Sequence, residues 1–260
     1  MYQKIDDVEL YYEEFGTGDR VILYMTQVFD PERKGWPYDL AGDGYHVYAI
    51  QTRGYGLSTH IHENFEANWY DVWADDAYRF ARAQGVSRFL YTGLSDGAGI
   101  GWHLCFRHPE AVIGFAGLSS GPHSRKCQRL SPSRKVAMDT INDAEAAEHL
   151  AQYQRQLTLY YARKFADDPV LREEFERKAE ERYQWQLSKT PEEKSINPGI
   201  TLSQFKTDEE LLEAMHTLTM PVLLMNGMKD AMLPISNTVQ AMGAIPGVKD
   251  IYNQDDYHLL

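Results

Sequence analysis

The sequence predicts an α/β fold: a mostly parallel central sheet with helices on both faces, interrupted late by an inserted helical block. Short apolar runs alternate with longer amphipathic segments as far as residue 118, the pattern of parallel strands joined by crossover helices. One of these strands passes at once through Gly93-Leu94-Ser95-Asp96-Gly97 into an apolar helix. Residues 119–219 then become long, charged and helical, and strand character returns only after them.

Val8–Glu14 and Val21–Tyr24 read as strands separated by Gly-Thr-Gly-Asp, a turn by composition. His46–Gln51 follows as a third strand and runs into Thr-Arg-Gly-Tyr-Gly-Leu-Ser, a glycine-bearing loop. Glu66–Gln84 carries Trp69, Val72, Trp73, Ala77, Phe80 and Ala81 at helical spacing and stops at Gly85, a C-cap residue. Phe89–Thr92 is a strand, Ala98–Arg107 an apolar helix that ends before Pro109, and Ile113–Leu118 a buried strand. Asp143–Ala166 and Pro169–Leu187 are long helical patterns, Lys189–Gly199 is a polar break with two prolines, and Asp208–His216 is a shorter helix. Strands resume at Pro221–Asn226 and weakly at Ile251–Asn253. The predicted division is a sheet domain of residues 1–118 and 220–260 with an insertion at 119–219.

The formal net charge of −12 argues against nucleic acid and anionic membrane as partners, because both select Lys/Arg-rich surfaces. The chain starts Met1-Tyr2-Gln3-Lys4-Ile5-Asp6-Asp7, without the basic and apolar segments of a signal peptide. No apolar run approaches the ~20 residues that cross a bilayer. The two cysteines, Cys105 and Cys127, form neither a metal-ligand spacing nor a disulfide framework, and Cys105 sits in an apolar helix as a buried thiol. A reducing cytoplasm is the expected compartment. No metal and no cofactor is expected, and no Gly-x-Gly-x-x-Gly follows the first strand, which disfavours a dinucleotide-dependent oxidoreductase.

Gly-x-Ser-x-Gly alone is a weak signal. Placed between a strand and a helix it describes a sharp turn that presents Ser95 at a helix N-terminus, where the dipole and open N–H groups favour a developing anion. The competing reading is a glycine-rich turn with Ser95 as a plain N-cap.

With these segments in place the chain resembles the α/β-hydrolase family over nearly its whole length. Val8–Gly18 resembles the family's opening hairpin, Arg53-Gly54-Tyr55-Gly56-Leu57-Ser58 its Arg-Gly-x-Gly-x-Ser loop, and His108-Pro109-Glu110-Ala111-Val112 its His-Pro-Glu-x-Val. Pro221–Pro234 resembles the strand and loop that carry the acid, and the helical block resembles the cap. The resemblance implies a Ser–acid–His order, hence Ser95 as nucleophile, Asp230 as acid and His258 as base. His258 is the only His after Asp230, and this sequence ends two residues beyond it, whereas family members usually continue into a final helix. The oxyanion donors implied are the backbone N–H groups of Asp96 and Gln27, with Val28 as runner-up. Met25-Thr26 stands where the family usually carries His-Gly, which removes a glycine but no amide.

Asp96 reads either as a first-turn acid on the helix dipole or as a carboxylate that selects a cationic substrate group. Val28, Phe29, Trp36 and the cap aromatics Tyr160 and Trp185 are candidate substrate contacts, although aromatics at helical spacing are more often packing. The function expected is hydrolysis of a carboxylic ester or lactone of a small organic substrate through an acyl-serine. The alternatives are carbon–carbon bond hydrolysis of β-diketone or ring-fission products by the same triad, and a non-catalytic ligand-binding protein. A homodimer through the cap helices is compatible with the pattern.

Overall fold

The computed structural model describes residues 1–29, 35–60, 69–120, 122, 125, 143–163, 167–230 and 235–254. The strands are β1 (Tyr2–Ile5), β2 (Val8–Phe15), β3 (Arg20–Thr26), β4 (Tyr45–Gln51), β5 (Phe89–Leu94), β6 (Val112–Leu118), β7 (Val222–Gly227) and β8 (Lys249–Asn253). They form one sheet in the order β1-β2-β4-β3-β5-β6-β7-β8. The two pairings that involve β2 are antiparallel, and every pairing from β4 to β8 is parallel. This is the fold class that the alternating pattern predicts. The expected opening hairpin takes a different form, because β2 pairs with β1 and β4 rather than with β3.

Helices α1 (Trp36–Gly42), α2 (Trp69–Ala83) and α3 (Asp96–Arg107) lie between the strands of the first half. The apolar stripe of α2 buries Trp69, Trp73, Ala77 and Phe80, and α3 buries Ile100, Trp102, Leu104 and Cys105. Fully burying side chains of this size contributes about 1.5–3 kcal/mol each. Burial also pushes the Cys105 thiol well above its ordinary value, so it behaves as a small core hydrophobe. In the loop after β4, Arg53 makes a buried, bidentate ion pair with Asp76 of α2. That pair fixes the Arg-Gly-x-Gly-x-Ser loop to the helix. None of the described helices is long and apolar enough to cross a membrane.

The chain divides into two compact units, Met1–Gln128 with Asn197–Leu260, and Arg129–Ile196. The smaller unit contains α4 (Ala144–Ala162), α5 (Pro169–Ser188) and α6 (Pro191–Ser195). The first two pack together, with Arg155 of α4 on Glu180 of α5 at 2.7 Å. Ion pairs within α5, Lys178–Glu174 at 2.8 Å and Arg177–Glu181 at 2.6 Å, suit its polar surface. Within the larger unit, α7 (Asp208–His216) and α8 (Ile235–Met242) flank β7.

The observed boundary differs from the predicted insertion at 119–219, since Asn197–Thr219 groups with the sheet domain. Leu202, Leu211 and Met215 are buried there. Arg125 Nη2 donates to the carbonyls of Thr201 and Leu202 at 2.9 and 2.8 Å, and its backbone N–H reaches the Asp208 carboxylate. Composition gave no hint of this, because the segment is as polar as the block it follows.

Candidate active site

β5 ends at Leu94 and α3 begins at Asp96, so the whole reversal falls on Ser95, at φ 53° and ψ −114°. This is a left-handed conformation that a residue with a Cβ rarely adopts. Its N–H bonds the carbonyl of Leu118 at 3.0 Å, and its own carbonyl accepts from Gly99 at 2.9 Å, which fastens the turn to β6 and to the first turn of α3. The flanking glycines are required by space. A Cβ on Gly93 would lie 2.3 Å from the carbonyl carbon of Gly97, and one on Gly97 would lie 2.6 Å from the Met25 carbonyl oxygen. The N-cap reading of Ser95 fails, because its side chain makes no capping bond to α3.

The loop after β3 approaches from the neighbouring strand. Thr26 Oγ1 donates to the Val28 carbonyl at 2.7 Å and accepts the Val28 N–H at 3.3 Å, which commits the Val28 amide. The Gln27 N–H has no partner among the described residues, so Gln27 is the better candidate donor of the two. The Gln27 carbonyl accepts from Gln51 Nε2 at 3.0 Å, and Gln51 Oε1 accepts the Leu57 N–H at 2.6 Å. The Asp96 carboxylate takes Gln27 Nε2 at 3.1 Å and Tyr70 Oη at 2.7 Å, one on each oxygen. Both donors are neutral.

Asp230 follows β7 and is buried, 5% exposed, with its N–H on the Gly227 carbonyl at 3.2 Å. β5, β6 and β7 are adjacent and parallel, so Ser95 and Asp230 stand at the same carboxyl edge of the sheet with β6 between. Ser119 N–H bonds the Met225 carbonyl at 2.8 Å and Ser120 N–H bonds Asn226 Oδ1 at 3.3 Å, tying the ends of β6 and β7 together. His258 lies outside the described residues.

Among the expected substrate contacts, Val28 is exposed, while Phe29 and Trp36 are half-buried and held edge-on to Tyr11 and Tyr24, with ring centroids 5.6 and 5.1 Å apart. Tyr160 and Trp185 belong to the smaller unit. There Arg163 lies 5.3 Å from the centre of the exposed Tyr160 ring, and Lys189 Nζ lies 3.7 Å from that of Trp185.

The sequence analysis missed Tyr70, Gln51 and His103. Tyr70 is 2% exposed and stacks on His103, with centroids 5.3 Å apart. His103 Nε2 accepts the Leu202 N–H at 2.8 Å, so its proton is on Nδ1, where it is donated to Asp71 at 2.7 Å. That hydrogen bond holds the Asp71 carboxyl below its ordinary value. Helical spacing marks Tyr70 and His103 only as residues of a buried face, and their partners are 26 and 99 positions away.

The family model described as alpha/beta hydrolase fold matches residues 25–260. The chain belongs to the alpha/beta hydrolase fold family. It is 26% identical over 248 residues to the AB hydrolase superfamily protein YisY of Bacillus subtilis, covering 88% of this chain and 81% of that one. A thermophilic esterase from Thermogutta terrifontis superposes with a TM-score of 0.71 at 20% identity, covering 97% of this chain and 87% of the other. The enol-lactonase from Burkholderia xenovorans LB400 superposes with a TM-score of 0.65 at 17% identity, covering 98% and 91%. At these identities the two structures testify to the fold alone.

Proposed function

We propose that this α/β-hydrolase cleaves a carboxylic ester or lactone of a small organic molecule through an acyl-Ser95 intermediate. The observation that carries the reading is the Ser95 backbone, held at positive φ between two glycines with no helix-capping role for its side chain. A hydroxyl becomes a competent nucleophile only beside a base, and His258 oriented by Asp230 supplies one in the chain order of the family. His258 takes the Ser95 proton as Oγ bonds to the carbonyl carbon. The backbone N–H groups of Gln27 and Asp96 receive the oxyanion, each contributing about 3–4 kcal/mol in the transition state. Collapse breaks the ester C–O bond, and the leaving alkoxide takes the proton from His258. A water deprotonated by the same base then releases the acid and restores Ser95. That an esterase and an enol-lactonase are borne on this fold favours ester and lactone bonds as the first to try. Val28, Phe29 and Trp36 are the proposed substrate contacts. No metal, cofactor or nucleic acid enters the reaction.

Intact-protein mass after treatment with a fluorophosphonate tests the reading. One adduct is expected, absent from Ser95→Ala, together with turnover of p-nitrophenyl acetate or a γ-lactone. An adduct without ester or lactone turnover would favour carbon–carbon bond hydrolysis. No adduct on folded protein would favour a binding role.

A further inference from the structure

The two residues assigned to the oxyanion by their backbone amides are also joined through their side chains, by the 3.1 Å bond from Gln27 Nε2 to Asp96 Oδ2. An ionised carboxylate is acceptor-only, and here its other oxygen takes the Tyr70 hydroxyl at 2.7 Å. Tyr70 is itself fixed, buried on α2 and stacked on His103 of α3. On the other side the Gln27 carbonyl is held by the buried Gln51 at 3.0 Å. Gln27 is therefore anchored at its backbone to the β4 end and at its side chain to the start of α3, while its N–H has no partner among the described residues.

We infer that the Asp96 side chain is a positioning residue, which staples the loop after β3 to the first turn of α3 and so fixes the Gln27 amide for the oxyanion. The inference rests on the serine-hydrolase reading and deepens it. Catalytic donors have to be held within roughly 0.5 Å of their productive place by neighbours that are themselves locked. The backbone of the loop Met25-Thr26-Gln27 is held on the β4 side, by Thr52 on the Thr26 carbonyl and Gln51 on the Gln27 carbonyl. The Gln27–Asp96 bond supplies the hold on the α3 side. The negative charge of Asp96 lies at the helix N-terminus, with Gln27 Nε2 and Tyr70 Oη among its donors. On this account it serves the loop and does not select cationic substrates.

Exchanging donor and acceptor tests the staple. Gln27→Glu sets two carboxylates against each other, whereas Gln27→Glu with Asp96→Asn restores the bond in reverse: the Asn amide N–H donates to Glu, and its oxygen still accepts from Tyr70. The readouts are kcat and KM on p-nitrophenyl acetate, the rate of phosphonylation by a fluorophosphonate, and the thermal midpoint. Gln27→Glu is expected to lower kcat and the phosphonylation rate by about 10–100-fold with KM changed less than about threefold. The double exchange should return both rates to within about threefold of wild type. Gln27→Met, which keeps the length without a donor, should lower kcat about tenfold and serves if Gln27→Glu does not fold. Unchanged kcat in both single variants, or a double exchange no faster than Gln27→Glu at equal thermal midpoint, overturns the staple and leaves the serine hydrolase standing. A folded wild-type chain that neither labels nor turns over ester brings down the hydrolase reading, and this inference with it.

Discussion

At Ser95 the chain holds a residue with a Cβ at φ 53° and ψ −114°, a conformation that costs about 1–3 kcal/mol and persists only where the surroundings over-determine it. Here the surroundings are the bond to the Leu118 carbonyl, the bond from the Gly99 N–H and the two glycines packed at van der Waals limits. The strain belongs to the turn and not to the hydroxyl. Ser95→Gly is therefore expected to abolish phosphonylation while raising stability by about 1 kcal/mol, read as a higher midpoint in urea. A midpoint equal to or below wild type would show that the turn is unstrained. The glycine–serine–glycine spacing made this residue legible, because strand, turn and helix leave few other uses for the pattern. The Asp96 contacts were not legible, since Gln27 and Tyr70 come from segments 69 and 26 positions away.

Elements differ in how far local chemistry dictates them. The helix Asp208–His216 matches its expected span, and Thr207 and Glu210 form a capping box, which is a purely local signal. Pro191–Ser195, expected as part of a polar break, is a short helix with Pro191 at its start and a box between Thr190 and Glu193. There the proline, read as a breaker, occupies the one helical position where its missing N–H costs nothing. The strand Tyr2–Ile5 and the helix Trp36–Gly42 went unpredicted, because a four-residue edge strand and a seven-residue helix carry too little periodicity to register. The weak last strand is real, and it carries a burden. Both Asp250 carboxylate oxygens are shut off from solvent without a hydrogen-bond partner among the described residues, and burial pushes this carboxyl up to about 6. The sign follows directly. Below about pH 4 both folded and unfolded chains hold the proton and no penalty arises. Between the unfolded value and about 6 the unfolded chain alone gives it up, so stability falls as pH rises and the full penalty stands above 6. Asp250→Asn is expected to raise the thermal midpoint at pH 7.5 and to lose that advantage by pH 4. A shift of equal size at both pH values would exclude the carboxyl as its source.

For the whole molecule, the decisive feature is where the chain leaves and re-enters the sheet domain. Arg125, on the outgoing segment, is bonded to Thr201 and Leu202 on the returning one. The larger unit is thus closed on itself across the excursion 129–196, as at a tolerated insertion point. Replacing 129–196 by a flexible linker of about six residues should leave a domain that unfolds in a single cooperative transition, since Arg125 already meets Thr201 and Leu202 across the cut. The measurement is near-ultraviolet circular dichroism through a thermal ramp. Absence of a cooperative transition would mean that the smaller unit is needed to hold the sheet domain together.

The sequence by itself determined the fold class, the Ser95 turn and most strands and helices, because each depends on spacing within a few residues: apolar alternation, a helical stripe, glycines on either side of one serine. Only the tertiary structure decided that Asn197–Thr219 belongs with the sheet, and that Asp96 is bonded to Gln27 and Tyr70. It also decided that His103 joins Asp71 to Leu202. Those choices rest on side chains meeting across tens of residues. A single polar side chain carries no periodic signal of its partner, and only the folded chain brings donor and acceptor together.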